Sequence, residues 1–177
     1  MTGVVLGRFQ PLHKGHQLII DKSLKECSKV VILISSSQES RTYKNPLTFL
    51  ERKKLIELVY PNITILPLKD LGIGNNCLWG DYIVNFLKEH NVDMDAFYTG
   101  EEERRLNWFD NYNKPNFKIV SLSKKEVNIS ASLIRDMIIS SNYDELSKYV
   151  DSRIISDVLS YRDIFIESNE NKASKSI

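Results

Sequence analysis

Two of the three histidines in the chain lie three residues apart, in a short segment that is also rich in cationic residues and glycine. The segment, residues 7–16, reads GRFQPLHKGH and contains His13 and His16 together with Arg8 and Lys14. Imidazole, guanidinium and ammonium groups donate hydrogen bonds to phosphate oxygens, and a glycine such as Gly15 lets a phosphate approach the backbone closely. The segment is neither a Walker A loop nor a GxGxxG fingerprint. Its residue types nevertheless predict a turn that binds phosphate.

The same segment has a structural alternative, a tight turn whose histidines cap a helix or bind a metal ion. Two histidines without a neighbouring carboxylate or cysteine make a poor zinc site, so no metal ligands are predicted. The segment lies between an apolar run and an amphipathic run, where a strand would end and a helix begin. The free N–H groups and the dipole of a helix N-terminus attract phosphate, which favours the phosphate-binding interpretation.

Short apolar runs alternate with longer amphipathic stretches along the rest of the chain. Strands are predicted at residues 2–7, 29–35, 62–66, 96–99 and 117–122. Helices are predicted at residues 16–27, 48–60, 78–90, 130–140 and 152–167. A capping box between Thr48 and Glu51 opens the second helix. The alternation implies right-handed crossovers and a parallel sheet, in an α/β fold that binds ligands beyond the carboxyl ends of its strands.

The composition limits the classes of function. The 177 residues include 24 Lys and Arg against 23 Asp and Glu, a net charge of +1, so no nucleic-acid or membrane partner is expected. No apolar run approaches the length of a membrane span, and no signal peptide opens the chain. Cys27 and Cys77 form no CxxC pair, which is typical of a cytoplasmic protein. We expect a single domain over residues 1–167 and a polar, disordered tail over residues 168–177.

The first turn resembles the HxGH signature of the nucleotidylyltransferase superfamily, which shares its fold with class I aminoacyl-tRNA synthetases. Arg8 and the tripeptide Phe9-Gln10-Pro11 make the segment most similar to archaeal-type nicotinamide mononucleotide (NMN) adenylyltransferases. The resemblance extends over about residues 3–139. It implies a Rossmann-like parallel sheet with helices on both faces, followed by a helical C-terminal segment. It also implies a reaction in which ATP and NMN give NAD and pyrophosphate.

A second segment, residues 129–135, reads ISASLIR and is similar to the family's ISxxxxR signature. Ser130 is predicted to cap a helix, with Arg135 about one and a half turns further on. Hydroxyl, N–H and guanidinium groups would then converge on a phosphate-sized space. The alternative is an ordinary capped helix with a surface arginine.

Two further segments resemble the family. Residues 35–52 follow its SxQxSHTxxNPFTxxER pattern, with Arg41 in place of the histidine and Leu47 in place of the phenylalanine. An arginine keeps a phosphate donor but loses the titratable ring, so no proton transfer is expected at this position. Residues 76–79 resemble the family's N-x-L-W, whose tryptophan stacks on nicotinamide, because a cationic ring favours an aromatic face. The alternative for Trp79 is an ordinary core position.

The resemblance implies a site with three groups of residues. The catalytic group is His13, His16 and Arg135. The ATP-binding group is Gly7, Arg8, Phe9, Lys14, Gly15, Ser130, Ser132 and Arg135. The acceptor-binding group is Gln38, Arg41, Asn76 and Trp79.

The expected reaction is a direct in-line attack of the acceptor phosphate on ATP, without a covalent enzyme intermediate. Mg²⁺ is expected to accompany ATP, bound mainly through the substrate phosphates. Nicotinate mononucleotide, phosphopantetheine and FMN remain alternative acceptors, because the two signatures do not distinguish them. A nucleotide-binding sensor without catalysis is the more distant alternative. A homo-oligomer is compatible with the sequence.

Overall fold

The computed structural model of the chain describes residues 1–72, 76–100, 107–110, 116–123 and 129–173, with only the main chain of residues 76, 172 and 173. The strands in this part of the chain are β1 (Thr2–Gly7), β2 (Lys29–Ile34), β3 (Thr64–Pro67), β4 (Ala96–Gly100) and β5 (Lys118–Leu122). The helices are α1 (Lys14–Glu26), α2 (Phe49–Val59), α3 (Asn76–Glu89), α4 (Ala131–Ile139), α5 (Leu146–Tyr149), α6 (Ile155–Ser160) and α7 (Arg162–Ala173). A 3₁₀ turn covers Asn107–Phe109.

The strands form one parallel sheet in the order β3-β2-β1-β4-β5. β1 lies at the centre, where Val4 pairs with Val31 of β2 on one side and with Phe97 of β4 on the other. The chain winds outward from β1 to β3 and then returns past β1 to form β4 and β5. In open α/β sheets this reversal creates a crevice for ligands at the carboxyl ends of the strands. The predicted α/β fold is confirmed, and the turn with His13 and His16 follows the central strand.

Helices cover both faces of the sheet. Val5 of β1 belongs to a core that includes Ile134 of α4 and residues of α1, α2 and the C-terminal helices. Val4 and Leu6 belong to a second core on the opposite face, which includes Ile83 of α3. Side chains alternate between the faces of a strand, so a strand covered on both faces must be apolar at successive positions. This explains the continuous apolar runs of β1 and β2.

Helix boundaries differ from the prediction in several places, including the start of α3 at Asn76, two residues before the predicted start. α1 begins at Lys14, two residues before the predicted start, because His13 caps it. The helix predicted at residues 152–167 is divided into α6 and α7, and α5 lies where no element is predicted. Residues 168–173, for which the composition indicates disorder, continue α7. The reason is packing, since Phe165 and Ser168 are only 1% and 2% exposed.

Residues 174–177, the rest of the tail expected to be disordered, lie outside the described residues. The capping box of Thr48 and Glu51 is confirmed at the start of α2. Within the described ranges, no helix combines the length and the apolar character that crossing a bilayer requires.

Candidate active site

His13 caps the helix that follows the central strand. Its backbone is extended, and its Nδ1 accepts a hydrogen bond from the N–H of His16 at 3.2 Å. This bond leaves the ring proton on Nε2. His13 is 4% exposed, and burial lowers its pKa from 6.5 to about 4. At neutral pH the ring is therefore an uncharged imidazole with one N–H available as a donor.

His16 lies between two rings. Its imidazole stacks on that of His13, with centroids 3.7 Å apart and planes 21° from parallel. On its other side the centroid of the Phe9 ring lies 4.7 Å from that of His16. Phe9 has a left-handed backbone (φ 53°) and is buried. A Cβ on Gly7 would lie 2.8 Å from the Phe9 ring, so glycine leaves room for this arrangement. Gly15 is buried in the first turn of α1.

The burial of Phe9 shows what its side chain does. At 1% exposure the Phe9 ring is a core side chain that supports His16, and contact of Gly7 and Phe9 with ATP stays a prediction. Gly7 is required by the packing of that ring. Both residues therefore shape the turn from within, whereas His16, which is half-buried, reaches its surface.

Arg135 joins two loops at the carboxyl edge of the sheet. Its Nη1 donates to the carbonyl of Gln10 at 2.7 Å, and its Nη2 donates to the carbonyl of Tyr43 at 3.2 Å. Arg135 is 9% exposed, burial lowers its pKa, and no ion pair among the described residues includes it. The alternative of a surface arginine is therefore wrong. The sheet topology brings this late helix against the first turn.

Ser130 caps α4, as predicted. Its Oγ accepts a hydrogen bond from the N–H of Leu133 at 3.2 Å and lies 3.1 Å from the Oγ of Ser132. Ser130 is exposed and Ser132 is half-buried. Contact of these two hydroxyls with ATP stays a prediction.

Arg52 is a residue of this region that the sequence reasoning did not assign. It is 0% exposed and donates to the carbonyls of Thr48, Arg8, Ser35 and Ser36. Its position carried a signal: Arg52 falls on the same face of α2 as Leu55, Ile56 and Val59, which are buried. A charged residue on the apolar face of a helix predicts a specific buried contact.

Gln10, a second residue without a predicted role, joins the turn after β1 to the loop after β2. Its amide donates to the carbonyl of Leu47 at 3.0 Å and accepts from the N–H of Leu47 at 2.8 Å. Gln10 is 2% exposed. Gln10 of the turn after β1 thus binds the loop after β2, and Arg52, which follows that loop, binds the turn after β1.

Lys14 and Arg8 differ in what they contact. The ammonium of Lys14 donates to the carbonyl of Ser147 at 2.6 Å, which ties α1 to α5. The guanidinium of Arg8 is exposed and makes no hydrogen bond or ion pair with any described residue. The Lys14 ammonium has three N–H donors, so it can bind a phosphate and keep its bond to Ser147.

Gln38 and Arg41, both predicted to bind the acceptor, fasten loops. The side-chain amide of Gln38 makes two hydrogen bonds with the main chain of Asp70, at 2.8 and 2.9 Å. Arg41 forms a bidentate pair with Glu51, both contacts being 2.8 Å, and also donates to the carbonyl of Pro46. Both side chains are committed to loop structure, and their role toward an acceptor stays a prediction.

Trp79 stacks on Trp108, which the sequence reasoning did not assign. The two rings have centroids 5.4 Å apart and planes 19° from parallel. The close approach depends on Gly80, because a Cβ there would lie 2.0 Å from the carbonyl oxygen of Trp108. Trp79 is half-buried, so it is part of the packing and also reaches the surface. The side chain of Asn76 lies outside the described residues.

The described side chains favour the binding of anions. Burial is the main cause that lowers the pKa of Arg52 and of Arg135. Glu39 raises the pKa of Arg52, Tyr43 and Asp136 raise that of Arg135, and the charge of Arg8 lowers both. The buried guanidiniums are held by carbonyl dipoles and not by carboxylates, so their charge is only partly neutralised. Among the described residues no group of three or more His, Cys, Asp or Glu could hold a metal ion. This donor set of guanidinium and imidazole groups fits phosphate groups.

Several curated proteins are similar to this chain in sequence. The chain is 32% identical over 105 residues to nicotinamide-nucleotide adenylyltransferase of Thermococcus kodakarensis, covering 55% of this chain and 53% of the relative. It is 35% identical over 118 residues to the enzyme of that name from Methanococcus maripaludis strain C6, covering 64% of this chain and 66% of the relative. The matches thus span between about half and two thirds of the length of these relatives.

A solved structure has a similar fold. A bifunctional NMN adenylyltransferase/ADP ribose pyrophosphatase from Francisella tularensis, in complex with AMP and a manganese ion, superposes with a TM-score of 0.68 at 26% identity. The superposition covers 96% of this chain and 53% of that one. The model of the cytidylyltransferase-like family matches residues 4–137, which include most of β1, the histidine turn and Arg135. The chain belongs to the cytidylyltransferase-like family.

Proposed function

We propose that the protein is an adenylyltransferase that joins ATP and NMN to give NAD and pyrophosphate. The observation that carries the proposal is the group of three arginines, Arg8, Arg52 and Arg135, beside the stacked pair His13 and His16. This edge concentrates positive charge and N–H donors where a polyphosphate would lie. The relatives named for this activity, of which the matches cover between about half and two thirds, support the choice of reaction.

The residues suggest how the reaction is assisted. A phosphate oxygen of NMN forms a bond to the α-phosphorus of ATP while the bond to the pyrophosphate oxygen breaks. Nε2–H of His13 and the ring of His16 would stabilise the charge on the transferred group. Arg135, Ser130 and Arg8 would hold the leaving phosphates. Catalysis would consist of positioning and electrostatic stabilisation, and no protein nucleophile is required.

Magnesium enters this proposal as part of the substrate. The described side chains supply guanidinium and imidazole groups at this edge and no cluster of carboxylates. Mg²⁺ commonly binds through substrate phosphates together with water and few protein ligands. We therefore treat MgATP as the substrate and assign no step to a resident ion.

One feature of the structure favours a pyridine nucleotide as the acceptor. The half-buried Trp79, stacked on Trp108, offers an aromatic face at the start of α3. A cationic nicotinamide ring is attracted to such a face. Nicotinate mononucleotide, phosphopantetheine and FMN are the competing acceptors. A non-catalytic nucleotide sensor would not need two stacked histidines beside the arginines.

A product analysis tests the proposal. The protein is incubated with MgATP and, in separate reactions, with NMN, nicotinate mononucleotide, phosphopantetheine or FMN, and the products are identified by mass. We expect NAD and pyrophosphate with NMN. Product from another acceptor only would reassign the substrate. ATP binding without consumption in any reaction would favour the sensor.

A further inference from the structure

We propose that Arg52 is a positioning residue, which fixes the two turns that end β1 and β2 and thereby orients Arg8 and His16 for phosphate transfer. The inference rests on the proposed adenylyltransferase function. Arg52 does not reach the surface, since it is 0% exposed. It would therefore act through its neighbours and not by touching substrate.

Arg52 contacts three separate segments of main chain. Its Nε donates to the carbonyl of Thr48, in its own helix, at 3.1 Å. Its Nη1 donates to the carbonyls of Arg8 at 3.1 Å and Ser35 at 2.8 Å, and its Nη2 donates to the carbonyl of Ser36 at 3.1 Å. A planar guanidinium with five N–H donors can make this set of bonds, whereas a compact ammonium cannot reach all of them with the same geometry.

The two turns that Arg52 joins have the same unusual backbone. Phe9 and Ser36 each lie two residues beyond the last residue of a strand, Gly7 or Ile34, and their φ values are 53° and 49°. Residues other than glycine rarely adopt positive φ, and they keep it only when the surroundings impose it. Arg52 binds the carbonyl immediately before each of these residues. It is thus placed to hold both turns in the left-handed conformation.

The turn after β1 connects Arg52 to the proposed chemistry. One carbonyl that Arg52 binds belongs to Arg8, whose side chain is exposed and pairs with no other residue in the described part of the chain. The next residue, Phe9, supports the His16 ring at 4.7 Å, and His16 stacks on His13 at 3.7 Å. A shift of the Arg8 carbonyl would therefore displace a phosphate donor and the histidine pair together.

The charge of Arg52 acts in the same direction. Burial lowers its pKa to about 10, so it remains protonated at neutral pH. Its hydrogen-bond acceptors are carbonyls, and none of the ion pairs among the described residues includes it. The guanidinium therefore adds to the positive field around Arg8 and Arg135, and the nearby carboxylate of Glu39 offsets part of it.

The principal test is Arg52→Lys, which keeps a charge but loses the fork of donors. We expect kcat for NAD formation to fall roughly 10²-fold, as for other small displacements of catalytic groups. Leu55→Ala is the matched control, because Leu55 is equally buried three residues later in α2. That variant should have a lower melting temperature. Its kcat, measured below that temperature, should equal that of the wild type. Wild-type kcat in Arg52→Lys, or the same loss in both variants, would overturn the proposal.

A measurement that is independent of activity separates this inference from the proposed function. The chain has three histidines, His13, His16 and His90. His90 lies on the other face of the sheet, beside Phe86 of α3. In ¹H–¹³C NMR spectra of the histidine rings, Arg52→Lys should shift the signals of His13 and His16 and leave that of His90 in place. Unchanged His13 and His16 signals would overturn the inference even if the protein makes NAD. A wild-type protein without adenylyl transfer would overturn the proposed function and leave this test valid.

A second variant covers the case in which Arg52→Lys does not fold. Glycine adopts positive φ without steric cost, so Ser36→Gly should relieve one of the two turns that Arg52 holds. Adding Ser36→Gly to Arg52→Lys should restore folding, whereas kcat should stay low, because the turn with Arg8 and Phe9 still lacks the guanidinium. Adding it to Leu55→Ala should not compensate the cavity. Equal effects of Ser36→Gly in the two backgrounds would contradict the role assigned to Arg52.

Discussion

The N–H of His16 donates to Nδ1 of His13 at 3.2 Å, and the two imidazole rings stack 3.7 Å apart. One hydrogen bond thus caps α1, selects the tautomer of His13 and brings the second histidine over the first. Because His13 is buried, its ring is kept neutral. The structural alternative, that the histidines cap a helix, and the functional one are therefore compatible, since capping orients the Nε2–H donor.

Acid should destabilise the protein through His13. Its pKa is about 4 in the folded protein and 6.5 as the ordinary value, so the unfolded chain binds the proton more tightly. Above pH 6.5 the neutral His13 makes its full contribution to the free energy of unfolding. This contribution is lost as the pH falls toward 4, and the loss is about 2 kcal/mol near pH 5. His13→Asn keeps a capping oxygen without a titrating ring. Urea unfolding near neutral pH and near pH 5 should show a smaller loss for the variant, and equal losses would contradict the prediction.

His16→Ala should lower kcat far more than it weakens ATP binding. The His16 ring lies at the surface of the turn, and loss of one charge-stabilising donor typically lowers the rate ~10²–10³-fold. Steady-state kinetics and calorimetric titration of ATP measure the two effects separately. His90→Ala, at the end of α3, is the control and should leave both unchanged. Turnover near wild type in His16→Ala would remove this residue from the mechanism.

Arg135→Lys should raise the KM for ATP with little change in the KM for the acceptor. An ammonium cannot bind the carbonyls of Gln10 and Tyr43 and a phosphate with the geometry of a guanidinium. Arg153→Lys is a suitable control, because Arg153 also donates to a carbonyl, that of Val59, but follows α5 in the C-terminal segment. An unchanged KM for ATP in Arg135→Lys would reduce Arg135 to a purely structural link between loops.

Trp79→Ala should raise the KM for the acceptor and spare that for ATP if the indole stacks on a pyridine ring. If Trp79 serves only as a core residue, the variant should instead lose roughly 3–5 kcal/mol of stability. Trp79→Phe should keep most of the stacking. Melting temperature and acceptor KM, measured together, distinguish the two roles. Early melting with a wild-type acceptor KM would end the pyridine assignment.

Gly80→Ala offers a test of the contact between α3 and the 3₁₀ turn. Alanine is intrinsically better than glycine in a helix by about 1 kcal/mol, so propensity alone predicts stabilisation. The new Cβ would lie 2.0 Å from the carbonyl oxygen of Trp108, and this clash should outweigh propensity. We expect a lower melting temperature and altered tryptophan fluorescence. A higher melting temperature would show that the turn moves away without cost.

The strands, and the placement of the motif residues at one edge of the sheet, could be predicted because they depend on local patterns. Apolar runs covered on both faces define β1 and β2, and a capping serine and a capping threonine mark the starts of α4 and α2. The order of strands and helices implies a parallel sheet, and parallel strands place their carboxyl ends at one edge. The motif residues that follow those ends were therefore expected near one another. Local patterns carry no information about which side chains from distant segments contact each other.

Only the tertiary structure decided what several of these residues contact. Arg41 pairs with Glu51, Lys14 reaches Ser147, and Phe9 turns inward, and none of these contacts follows from a motif. The low pKa of His13 arises from burial by elements that lie far apart in the sequence. Composition at residues 168–173 indicates disorder, yet packing continues α7 through them. Residue types thus determined which chemistry is available, whereas burial and partner choice, which depend on the whole fold, decided which groups are free to perform it.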